Sequence, residues 1–104
     1  MDECVLTILA PPAIEEALVD WLLELPEEVV FSSEPVSYHG TEHGVLDVRE
    51  QVTGSQRRLL FHLQIPLETA RELCSRLRSE FPDSSLRYWI SPVLESGLLG
   101  KPGH

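Results

Sequence analysis

The spacing of apolar side chains divides the chain into six elements. Val5 to Leu9 is a short apolar run with one Thr inside it, closed by Pro11-Pro12, and reads as a buried strand. Ile14, Ala17, Leu18, Trp21, Leu22 and Leu25 then recur at the three- and four-residue steps of one helix face. Pro12 suits a first helical turn, where a missing N–H costs nothing. Glu15 and Glu16 lie near the positive end of the helix dipole, and Pro26 stops the helix. Val29 to Phe31 opens a second strand, which Pro35 kinks or places at a sheet edge before it resumes at Val36 to Tyr38. From His39 to Arg58 no clean period survives. Leu59, Phe61, Leu63 and Ile65 alternate with Leu60, His62 and Gln64, predicting a third strand. Leu67, Ala70, Leu73, Cys74, Leu77 and Phe81 form a second helical stripe ended by Pro82, and Leu86 to Val93 is a fourth strand.

The order strand, helix, strand, strand, helix, strand predicts an α+β fold of the ferredoxin-like βαββαβ kind. It has a four-stranded antiparallel sheet with both helices on one face. At 104 residues this is a single domain over 1–96, with a long loop at 39–57 and a flexible tail at 97–104. The sheet then has a second, uncovered face. Alternation turns Cys4, Leu6, Ile8, Leu59, Phe61, Leu63, Ile65, Tyr88 and Ile90 toward the helices, and leaves Val5, Thr7, Leu9, Leu60, His62, Gln64 and Trp89 outside with Arg87. An apolar patch of Val5, Leu9, Leu60 and Trp89 on that face predicts self-association.

Charge narrows the picture. The formal net charge is −9, and Met1 to Val48 holds eleven acidic residues with no Lys or Arg. Such a half offers no phosphate-binding surface, so neither nucleic acid nor anionic lipid is an expected partner. No apolar run approaches the roughly 18 residues of a membrane span, and Met1-Asp2-Glu3 is unlike the basic start of a secretory signal. Direct membrane insertion is not expected, and the expected location is cytoplasmic. Cys4 and Cys74 are then free thiols. Across the two helices, Arg71 or Arg78 is expected to face Asp20 or Glu24.

Candidate chemistry is concentrated in one stretch. His39-Gly40-Thr41-Glu42-His43 places two imidazoles four apart with a carboxylate between them, donors that suit Zn, Cu or Ni. On the residues alone the pair reads first as two solvated loop histidines. Glu42, Asp47 or a neighbouring subunit would complete a metal site, and the acidic first half would attract cations toward it. Cys4 is a thiolate ligand if exposed and a small buried hydrophobe if not. His62 reads first as an interface histidine. No nucleophile elbow orders Ser, His and Asp, and no apolar pocket raises a carboxylate pKa, so an enzyme is not expected.

The element order, the proline-led turn Ala10-Pro11-Pro12, the insertion between strands two and three, and the ending Tyr88-Trp89-Ile90-Ser91-Pro92-Val93-Leu94-Glu95 together resemble the PII-like superfamily of nitrogen-regulatory PII proteins and CutA. Glu50-Gln51-Val52-Thr53-Gly54-Ser55-Gln56-Arg57-Arg58 is similar to a segment in an uncharacterised branch of small bacterial proteins often encoded beside heavy-metal efflux systems. The resemblance implies a homotrimer and a long loop that touches a ligand or a partner protein, here a membrane transporter. It also implies a regulatory or metal-sensing role, with His39, Glu42 and His43 as metal ligands. PII proteins bind adenine nucleotides between subunits through Lys and Arg. Here Arg49, Arg57 and Arg58 could contact a nucleotide or other anion, whereas Pro92 to His104 offers only Lys101 and no Gly-rich phosphate loop is present. An interaction domain without a small ligand is the remaining alternative.

Overall fold

A computed structural model describes residues 2–39, 55–82 and 85–100. Strand β1 (Glu3–Ala10) is followed by a 3-10 turn (Pro12–Ile14), helix α1 (Glu15–Leu23), strands β2 (Phe31–His39) and β3 (Ser55–Pro66), helix α2 (Leu67–Glu80) and strand β4 (Arg87–Pro92). The strands form one antiparallel sheet in the order β2-β3-β1-β4. This is the expected ferredoxin-like α+β arrangement.

β1 and β3 are central, which is why their sequences carry the densest apolar runs. Cys4, Leu6, Ile8 and Ala10 of β1 meet Ile65, Leu63, Phe61 and Leu59 of β3 in register, and all are buried toward the helices. Leu18 and Leu22 of α1 and Ala70, Leu73, Cys74 and Leu77 of α2 close the core from above. Trp21 and Phe81 meet edge to face at 6.4 Å and tie the two helices together, while Phe31 and Phe61 stack at a tilt across β2 and β3. The Leu67 N–H donates to the Asp2 carbonyl at 2.7 Å, so the start of α2 is fixed to the start of β1. Glu68 in the first turn of α2 and Arg78 in its last match the helix dipole. Phe81, preceding Pro82, leaves the helical conformation and so ends the helix.

Several details differ from the pattern-based expectation. The chain enters α1 through a 3-10 turn, and Ala17, at the margin of the stripe formed by Ile14, Leu18, Trp21, Leu22 and Leu25, is exposed rather than packed. Val29 and Val30 precede β2, and Pro35 lies within that strand without breaking it, because β2 is an edge and Pro35 needs no outer hydrogen-bond partner. The β2–β3 ladder reaches His39 and begins again at Ser55, farther than apolar spacing showed. Polar side chains there alternate with polar side chains, so the strand had no hydrophobic period. Tyr88 has the expected parity, opposite Ile8, but is 48% exposed because β4 is the other edge. Arg71 and Arg78 form no ion pair among the described residues. The observed helix-side pair is Arg76 of α2 with Glu27, just after α1.

Candidate functional site

The uncovered sheet face and the end of the β2–β3 hairpin are the two places where polar chemistry gathers. On the uncovered face, β-register brings Ser32, His62, Thr7 and Trp89 into one row across all four strands, and Glu34, Leu60, Leu9 and Arg87 into the next. His62 Nε2 lies 2.9 Å from Glu34 Oε2. From the opposite edge, Arg87 Nη1 donates to the Tyr38 hydroxyl at 2.6 Å, so β4 and β2 are strapped together over the two central strands.

That strap changes the predicted apolar patch. Leu9 was expected to stay open on this face and is instead buried, as is Arg58, whose guanidinium donates to the Arg57 carbonyl at 2.6 Å. Val5 and Leu60 remain partly open, and Trp89 is 46% exposed. Beside Arg58, Gln56 is only 1% exposed, and neither its amide oxygen nor its amide nitrogen has a hydrogen-bond partner among the described residues. A buried polar group left unmatched costs about 1–3 kcal/mol. Gln56 escaped sequence reading because it belongs to the part of β3 with no apolar period. Only extending the alternation back from Leu60 could have placed it beside Arg58.

At the end of the hairpin, His39 is exposed and pairs in register with Ser55. Strand parity puts His39, Ser37 and Arg57 on the helix side, where an open cavity of about 500 Å³ is lined by Ser37, Arg57, Arg58, Leu59, Pro12 and Glu15. The structure therefore gathers Arg57 and Arg58 at one cavity and sets His39 at the same end of the ladder. Glu42, His43 and Arg49, with Asp47 and Lys101, lie outside the described residues. Among the described residues, no three His, Cys, Asp or Glu side chains are grouped as a metal site. His39 can supply one imidazole, and the donor chemistry of its predicted companions fits a borderline transition metal. Arg57 and Ser37 fit an anion.

Cys4 and Cys74 are both buried and free, not exposed ligands. Burial pushes both thiols above their ordinary value, which keeps them protonated and unreactive.

A family model described as a protein of unknown function, DUF3240, matches residues 1–100. The chain belongs to the DUF3240 family. Comparison with the curated proteins finds no match. Among solved structures, the chain is similar to a DUF3240 family protein from Shewanella baltica, with 25% identity, a TM-score of 0.74, and coverage of 93% of this chain and 96% of that one. It is also similar to a proposed PII-like signaling protein from Thermus thermophilus, at 21% identity and a TM-score of 0.61, over 89% of this chain and 88% of that one. A Bacillus cereus protein related to NIF3 shares the fold at 13% identity and a TM-score of 0.56, over 92% of this chain and 27% of that one. The fold of this DUF3240 chain is thus PII-like, as its element order and turns suggested. Among the described residues no helix is long and apolar enough to cross a membrane.

Proposed function

We propose that this DUF3240 chain is a non-catalytic regulatory module of the PII type. It works in the cytoplasm as a homotrimer whose uncovered sheet faces pack together. The observation that carries the reading is the composition of that face. Val5, Leu60 and Trp89 are open there, and a second copy packed on the face would cover them.

The effector end of the module is the end of the hairpin. His39 stands exposed at the last position of β2 and, with Glu42 and His43, would bind a divalent transition metal, Zn, Cu or Ni. Binding that favours one conformation of this end would change what a partner protein meets. In this reading the partner is a membrane transporter of a heavy-metal resistance or transport system. Nucleic acid plays no part.

A second reading has its own observation, the cavity beside Ser37, Arg57 and Arg58, which would take a nucleotide or another anion, with Arg49 as a further contact. Thermal shift separates the two, since a ligand at 100 times its dissociation constant adds about 2.7 kcal/mol. Stabilisation by Zn, Cu or Ni that is lost in the H39A/H43A variant supports metal sensing. Stabilisation by ATP or ADP that is lost in R57A supports the anion reading. No stabilisation by either panel leaves a ligand-free interaction domain.

A further inference from the structure

The helix-covered side of the sheet has a second opening, apart from the cavity beside Arg57. Between the C-terminal half of α2 and the free edge of β4 runs an apolar groove of about 180 Å³, walled by Ile8, Cys74, Leu77, Phe81, Leu86 and Tyr88. Arg78 stands at its rim, exposed and without an ion pair among the described residues. Near the other end of β4 the chain leaves the sheet as an apolar tail without regular structure. Leu94 and Leu98 are 98% and 72% exposed, Leu99 is fully exposed, and Glu95 between them is unpaired among the described residues. One chain thus carries an open apolar groove with a positive rim, and an open apolar segment with a negative charge in it.

The tail cannot fill its own groove. The Val93 N–H donates to the Glu3 carbonyl, which holds the chain on the line of β4 past Pro92. Tyr88, at the groove, lies five residues back along the strand, or about 17 Å away. Folding back would use about two or three residues in a turn. The roughly three left before Gly100 would then span about 10 Å.

We propose that the segment Leu94–Leu99 of one copy docks in the α2–β4 groove of a second copy, with its leucines against Leu77, Phe81 and Leu86 and Glu95 against Arg78. The free edge of β4 beside the groove can extend the sheet by pairing with the tail backbone, and Tyr88 becomes covered. The contact rests on the self-association proposed above but uses a different surface, so the two can fail separately.

Sedimentation of the full chain tests this with R78E, E95R and the double variant. Both positions are exposed, so these variants fold. Each single reversal is expected to weaken self-association about five- to tenfold, and the double variant to restore it. Replacing Leu94, Leu98 and Leu99 together by Ser is expected to weaken it about a hundredfold. A W89D variant, which disrupts the uncovered face instead, separates the outcomes. An assembly that W89D breaks while the reversals leave it unchanged overturns the tail contact and keeps the face packing. One that the reversals weaken, the double variant restores and W89D leaves intact upholds the tail contact and removes the face packing. Wild-type chain that stays monomeric at high micromolar concentration overturns both.

Discussion

The two faces of the sheet are built from alternate residues of the same strands, yet they solve different problems. Toward the helices, Leu6, Ile8, Phe61 and Leu63 are sealed by side chains of α1 and α2, and every buried strand side chain described there is apolar. The uncovered face has no second layer. Long polar side chains reach across it instead, with Arg87 held to Tyr38 and His62 to Glu34, and a Gln amide is buried without a partner among the described residues. Away from the groove beside β4, the first face is covered within the chain. The other is closed only in part, and in the reading proposed above a second copy completes it.

The contrast can be broken most forcefully from the complete side. Phe61→Ala opens a cavity beneath both helices and is expected to cost about 3–5 kcal/mol, read as a fall in the urea midpoint. Trp89→Asp on the other face should change the stability of the isolated chain by no more than about 1 kcal/mol while removing the face-to-face contribution to self-association in light scattering. An equally large loss of chain stability would show that the uncovered face is a second core. Gln56→Met removes the unmatched amide and should stabilise the chain by about 1 kcal/mol in denaturant titration. A loss of stability that grows with protein concentration would instead show that a second copy satisfies the amide.

The smallest effect concerns pH. The Glu27 carboxyl is held below its ordinary value, first by its own backbone N–H and then by Arg76. A lowered folded-state value contributes stability above the ordinary carboxylate range, and this is lost as pH falls through the folded value. Arg76→Ala should therefore lower the thermal midpoint slightly at neutral pH, and the gap from wild type should narrow on acidification. A gap independent of pH would assign Arg76 a packing role alone.

Legibility in the sequence followed burial. The inward parity of β1 and β3, the stripe of α2 and the prolines that end both helices could all be read because packing against one layer imposes a period of two or 3.6. The reading weakened where that layer stops. Tyr88 had the right parity but no helix above it, and β2 and β3 extend past the point where apolar alternation ends. The candidate metal-binding stretch was legible only as residue types, since His39 is described and Glu42 and His43 lie outside the described residues.

By itself, then, the sequence determined the order of elements, the side of each strand that meets the helices, and the cluster of basic residues entering β3. These follow from local periodicity and from side-chain chemistry that a residue keeps wherever it sits. Only the tertiary structure decided which side chains meet across the sheet, and so that Arg87 reaches Tyr38 from 49 positions away. It also decided that Leu9 is covered, that the Gln56 amide is orphaned among the described residues, and that a groove beside Arg78 is left open. Such facts depend on what lies across the sheet, and a chain records its neighbours along the backbone, not across it.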